Sequence, residues 1–128
     1  PYDRFAEFGE AKFRQLEHDA VAEALEGPAS VVVPGGGWAA EPGHVPSARG
    51  RAFIIYLKVE PGTAAARIPA DHDRPLLLSE DPVARMRDLL RNREAFYQLA
   101  DKVIPNDKAT AEQAASEIVK LARQFAGW

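Results

Sequence analysis

Apolar residues near the start of the chain recur at intervals of three and four. Phe13, Leu16, Ala20, Val21, Ala24 and Leu25 fall on one stripe, which predicts an amphipathic helix from Gly9 or Glu10 to Glu26. Gly27 and Pro28 stop it, and Phe5 and Phe8 ahead of Gly9 belong to a preceding helical turn on the same core. Residues 29–33, ending in three valines, have the pattern of a short strand buried on both faces. Residues 52–57 form the clearest strand, and Pro61 opens a helix reaching about Arg67. Asp81 followed by Pro82 is a helix start, a capping side chain and then a proline whose missing N–H costs nothing there. That helix runs to about Ala100 with Met86, Leu90, Arg93, Tyr97 and Ala100 on its inner stripe. Residues 102–105 make a short strand, and a closing helix from Thr110 to about Phe125 turns Ala114, Ile118, Leu121 and Phe125 inward. Helices alternating with three buried strands predict an α/β layered fold with a parallel sheet.

Five places stand out from this pattern. Val31-Val32-Val33 runs through Pro34 into Gly35, Gly36, Gly37 and Trp38, leaving bare backbone at a predicted strand end. Three glycines lose much conformational freedom on folding, so they imply either positive φ, a tight turn, or close approach by another group. Residues 38–51 hold Pro42, Gly43, Pro46 and Gly50, leaving room for at most a short helix on the surface. Residues 69–80 are polar and kinked, the composition of a lid, with Arg74 as their one cation. Arg93 occupies a core face of its helix, where an unpaired charge costs several kcal/mol, so either an anion meets it or only its stem is buried. Arg14 borders the stripe of the first helix with Glu10 and Glu17 in reach, which fits either an exposed ion-pair ladder or a held cation.

Composition narrows the possibilities. The 128 residues, 46% of them hydrophobic, fit one domain with one core. The absence of cysteine excludes a disulfide framework and thiolate metal sites, and makes the cytoplasm the default location. The apolar run at residues 52–57 is too short for a membrane span, and no signal-peptide pattern opens the chain. A net charge of −3 points away from nucleic acid, yet eleven of the 16 basic residues are arginine, whose planar fork suits carboxylate and phosphate. Gly35 to Ala40 formally satisfies G-x-G-x-x-A, but Pro42 and Gly43 interrupt the helix that motif needs, and Ile55 stands where an acid is required. His18, His44 and His72 show no metal-ligand spacing, and neither a nucleophile elbow nor a Walker A loop occurs in these residues.

Taken together, Gly9-Glu10 leading to Phe13-Arg14 and Glu17, the triple glycine, Arg74-Pro75-Leu76-Leu77, Asp81-Pro82, and Arg93 followed by Phe96-Tyr97 and Ala100-Asp101 resemble the shikimate kinase family in order and spacing. The resemblance spans nearly the whole chain. It implies a three-layer parallel-sheet P-loop kinase fold of the nucleoside monophosphate kinase type and transfer of phosphate from ATP, with Mg2+, to the 3-hydroxyl of shikimate in aromatic amino-acid biosynthesis. By resemblance Arg14 and Arg93 grip the shikimate carboxylate, while the backbone of Gly35, Gly36 and Gly37 meets ring hydroxyls. Phe5 and Phe13 wall the ring, and Glu17 orients Arg14. Arg74 acts on the phosphates as the catalytic cation, and Arg67 lies against adenine. No protein residue is implied as a metal ligand. The small-molecule partners are shikimate and ATP, in a cytoplasmic enzyme that is monomeric when complete and contacts neither nucleic acid nor membrane. The family's phosphate-binding loop, first helix and first strands are expected ahead of Pro1. Residues 1–128 are thus expected to be a single incomplete kinase domain lacking the first strands, with substrate binding in about residues 1–50 and a lid at about 69–80. A shikimate-binding or regulatory module without catalysis, and a related kinase for another carboxylated polyol, are the alternatives.

Overall fold

The computed structural model describes residues 2–67 and 81–128, with side chains from residue 9 onward. Phe5, Arg74 and the predicted lid at 69–80 therefore lie outside what can be described. The first helix, α1 (Tyr2–Glu26), is two helical segments meeting at Gly9, whose φ of 77° and ψ of 173° break the helical path. An L side chain rarely adopts that backbone conformation, so glycine suits the junction. Among the residues predicted to face inward, Val21 is buried and Phe13, Leu16, Ala24 and Leu25 are half-buried, whereas Ala20 is exposed.

Residues 29–33 do not form a strand. Val31 is 73% exposed, Val32 37% and Val33 87%, and among the described residues no ladder partner reaches them. β-structure exists only through pairing, so an apolar run without a neighbouring edge stays extended and solvated. The surface segment that follows contains two short helices rather than one, α2 (Gly36–Ala39) and α3 (His44–Ala48). Gly43 caps α3 with a left-handed φ of 88°, and Pro46 is tolerated because it sits in the first turn. Trp38, Val45 and Ala48 from these helices join Val21 of α1 in the main buried cluster, with Leu25, Ala39 and Ile54 against it. Trp38 thus fastens the end of the glycine run to the core.

Strand β1 (Ile55–Lys58) begins three residues later than the sequence pattern predicts. Ahead of it, the Ile54 N–H is taken by Asp101 Oδ2 at 2.8 Å, a side-chain bond in place of a ladder bond. Helix α4 (Pro61–Arg67) follows, and α5 (Pro82–Tyr97) starts where predicted, with Asp81 Oδ1 accepting the Ala84 N–H at 3.0 Å. Helix α5 ends at Tyr97 rather than near Ala100, and its predicted inner stripe is half-buried throughout. Strand β2 (Lys102–Pro105) pairs with β1 in parallel, Ile55 opposite Lys102 through Lys58 opposite Pro105. Among the described residues the sheet has these two strands, not three. Helix α6 (Ala111–Phe125) opens with a reciprocal cap in which Thr110 accepts the Gln113 N–H and Gln113 accepts the Thr110 N–H. Ala114 and Leu121 are buried as predicted, but Phe125 is 56% exposed and only its face is covered, by Phe53 at 5.4 Å between centroids.

Candidate functional site

Two helices, α1 and α5, converge on the triple glycine. From α1, Glu17 reaches across with one carboxylate oxygen accepting the Gly35 N–H at 2.8 Å and the other accepting from Arg14 Nη1 at 3.2 Å. Glu10 is a looser partner of Arg14 at 3.9 Å and is largely exposed, while the Glu17 side chain is only 11% exposed. The ion-pair ladder read from the sequence is therefore uneven: Glu17 holds Arg14 and Glu10 merely accompanies it. The Arg14 guanidinium also lies 5.4 Å from the Phe13 ring centroid, a cation over an aromatic face.

From α5, Tyr97 donates its hydroxyl proton to the Gly36 carbonyl at 2.9 Å. Arg93, one turn earlier on the same face, is at the same glycine. A β-carbon built on Gly36 would stand 2.9 Å from the Tyr97 hydroxyl and 3.1 Å from Arg93 Nη1. A β-carbon on Gly37 would meet the Arg14 guanidinium, and one on Gly35 the Glu17 carboxylate. None of these three glycines has positive φ; the left-handed glycines are Gly9, Gly43, Gly50 and Gly127. Close approach by charged and hydroxyl groups accounts for the run, not backbone conformation.

The two guanidiniums are thus brought to consecutive glycines from opposite helices, Arg14 at Gly37 and Arg93 at Gly36. Gly35 differs from its neighbours, because its N–H is already bound by Glu17. The N–H groups of Gly36 and Gly37 open α2, where a helix offers no internal acceptor. A cavity of about 330 Å3 adjoins Gly37 and is lined also by Arg14, Glu17, His18, Trp38 and His44 among others; Gly36 and Arg93 stand beside it, outside that lining. Along its wall His18 Nδ1 meets His44 Nε2 at 3.2 Å, and His44 Nδ1 meets the Trp38 carbonyl at 2.8 Å. Forked cations at consecutive glycines, beside the amides that open a helix, are chemistry suited to an anionic, hydroxylated molecule.

Arg67 stands elsewhere, where β1 and β2 end. Its Nη2 donates to the Asp107 carbonyl at 3.0 Å, and the Asp107 carboxylate accepts the Glu60 N–H at 2.8 Å. That backbone hydrogen bond, with smaller help from Thr63 and Arg67, holds the Asp107 carboxyl below the ordinary carboxylate range. The neighbouring Asn106 has a buried Oδ1 without a hydrogen-bond partner among the described residues. The carboxyl ends of parallel strands are where ligands bind in α/β sheets.

The sequence pattern also contains, without revealing, a group that braces α5 against β1. Tyr56 donates to Glu94 Oε2 at 2.6 Å, and Lys58 lies 3.1 Å from Glu94 Oε1. Burial alone would raise the Glu94 carboxyl, but hydrogen bonds from Tyr56, Gln98 and Lys58 outweigh it and lower it. Burial and the Glu94 charge push the Tyr56 phenol well above its usual value. Among the described residues no cluster of three acidic, histidine or cysteine side chains is arranged for a metal ion. No described helix is long and apolar enough to cross a membrane.

Known proteins were compared with the chain. The sequence profile of shikimate kinase matches residues 2–123. The shikimate kinase of Caldanaerobacter subterraneus is 39% identical over 116 residues, 91% of this chain and 68% of that protein. That of Thermobifida fusca is 42% identical over 119 residues, covering 92% and 68%. Among solved structures, the shikimate kinase from Acinetobacter baumannii in complex with shikimate superimposes with a TM-score of 0.84 at 29% identity, over 94% of this chain and 68% of that one. The enzyme from Bacteroides thetaiotaomicron gives a TM-score of 0.76 at 26% identity, over 97% and 73%. The α/β fold is that of the P-loop kinases, and the chain belongs to the shikimate kinase family, whose members are ATP-dependent kinases.

Proposed function

We propose that the site around Gly36 and Gly37 binds shikimate for phosphorylation of its 3-hydroxyl by ATP. The observation that carries the reading is the placement of Arg14 and Arg93 at consecutive glycines from opposite helices. Each guanidinium offers a fork of N–H donors to the substrate carboxylate, fixing its direction as well as its position. The Gly36 and Gly37 N–H groups face ring hydroxyls, Glu17 keeps Arg14 in orientation, and Phe13 together with Phe5 walls the ring. Residues 1–50 supply this binding region and residues 69–80 a lid within a single kinase domain.

In the reaction the 3-hydroxyl oxygen forms a bond to the γ-phosphorus as the bond from that phosphorus to the β-phosphate bridging oxygen breaks. The hydroxyl proton leaves with solvent or base, and ADP departs. Such transfers need little covalent help and depend on positioning and on charge to meet the transferring group. Arg74 supplies that charge. Arg67 lies against adenine, held beside Asp107 at the ends of β1 and β2. Mg2+ would supply positive charge to the ATP phosphates during transfer. The described residues provide no cage for it. The enzyme works in the cytoplasm as a monomer.

The test is Arg93→Ala in the full gene product, with shikimate and ATP binding measured separately by calorimetry. Loss of one charged hydrogen-bonding partner weakens shikimate roughly 10- to 150-fold and leaves ATP nearly unchanged. Equal losses for both ligands would refute the clamp.

A further inference from the structure

We propose that Tyr97 is a positioning residue for the substrate site, aiming the Gly37 N–H through the peptide plane it shares with the Gly36 carbonyl. The proposal rests on the shikimate-binding reading of that site. A trans peptide is planar, so the carbonyl of one residue and the N–H of the next point in opposite directions. Each of the three peptide planes in the glycine run is held by a different group. The plane between Pro34 and Gly35 is held through its N–H by Glu17 of α1 at 2.8 Å. The plane between Gly35 and Gly36 is held through its carbonyl, which accepts the Trp38 N–H at 3.1 Å. The plane between Gly36 and Gly37 is held through its carbonyl by the Tyr97 hydroxyl at 2.9 Å.

The third plane depends most on its side-chain partner. It is flanked by glycine on both sides, so the rotations that flip a peptide meet no β-carbon clash on either side. With the Gly36 carbonyl drawn toward α5, the Gly37 N–H faces away from α5, on the residue where the Arg14 guanidinium stands. Tyr97 and Arg93 are four residues apart on one helix face, so the same helix that presents one cation also sets the amide. The Tyr97 ring meets the Tyr56 ring at 5.1 Å between centroids, a contact that does not involve the Tyr56 hydroxyl.

The experiment compares Tyr97→Phe, Tyr56→Phe and Arg93→Ala in the full gene product, measuring KM for each substrate, kcat and the melting midpoint. Tyr97→Phe keeps the ring and removes one neutral hydrogen bond, so KM for shikimate rises about 3- to 10-fold while KM for ATP stays within about 2-fold. Tyr56→Phe removes a hydroxyl from the same aromatic pair without touching the glycine run, and leaves both KM values unchanged. An unchanged shikimate KM in Tyr97→Phe, an equal rise for ATP, the same shift in Tyr56→Phe, or loss of the cooperative melt in Tyr97→Phe each overturns the positioning role. If Arg93→Ala also spares shikimate, the reading of the whole site falls. If Arg93→Ala abolishes shikimate binding and Tyr97→Phe does not change it, only the role of Tyr97 falls.

Discussion

Gly37→Ala should separate binding from stability. Gly37 lies within α2 and is not among the positive-φ glycines, so alanine fits its backbone and raises helix propensity by about 0.8–1.0 kcal/mol. The cost is local, because the new methyl falls on the Arg14 guanidinium. To regain ordinary van der Waals separation the guanidinium must retreat by roughly 1 Å. Arg14 is 28% exposed, so water can replace part of what its pairing with Glu17 loses, and the net stability change stays within about 1 kcal/mol. Shikimate has no such substitute. A displaced fork loses a charge-assisted hydrogen bond to the carboxylate, about 1.5–3 kcal/mol or roughly 10- to 150-fold in affinity. Calorimetric titration with shikimate, beside thermal melting of the same sample, gives both numbers. Gly62→Ala is the control, since a β-carbon there meets nothing within 4 Å in α4 and should leave binding alone. Shikimate binding by Gly37→Ala within about threefold of the unmodified protein would refute the close-approach account.

Other perturbations probe the frame around the site. Because the Glu94 carboxyl is lowered in the folded state, its contribution is complete above the unfolded value of 4.5 and is lost as pH falls through the lowered folded value. Glu94→Gln should therefore flatten that acid limb of melting midpoint against pH. Tyr56 has the opposite sign: its phenol is raised, so its contribution is complete below the unfolded value of 10.0 and fades as pH rises above it, a loss that Tyr56→Phe should remove. Asp101→Ala strands the Ile54 N–H ahead of β1 and should cost about 1–3 kcal/mol in urea unfolding. Arg49→Ala, which removes only the half-exposed partner of Asp101, should cost no more than about 1 kcal/mol. Thr110→Ala breaks the reciprocal cap of α6 and should lower stability by about 1 kcal/mol in the same assay.

What was legible in the sequence was local. The Gly9 break, the Asp81-Pro82 start and the Thr110 start each depend on residues within a turn of one another, and all three stand in the structure. Strand formation depends on a distant partner, which is why residues 102–105 paired while 29–33, equally plausible by pattern, did not. Phe125 belongs to the right periodicity but is the last residue of α6, where the core no longer reaches. At the site, the residue types were readable and the reason for them was not. Arg93 stood out because a cation interrupted an apolar stripe, whereas Tyr97 blended into that stripe although its hydroxyl contacts a residue 61 positions away. The signal was an oxygen-bearing aromatic one turn from the misplaced arginine.

The pair His18 and His44 sets the direction of a short hydrogen-bond chain when both rings are neutral. The Trp38 carbonyl can only accept, so at 2.8 Å His44 Nδ1 carries a hydrogen, and neutral His44 then presents a bare Nε2. With His44 neutral, the hydrogen between the rings is on His18 Nδ1, 3.2 Å from that nitrogen. Two neutral imidazoles then share one tautomer in a one-way chain running from α1 through α3 to the backbone of α2. Nitrogen chemical shifts of the two rings would display that polarity directly, as matching protonated Nδ1 and unprotonated Nε2 signals.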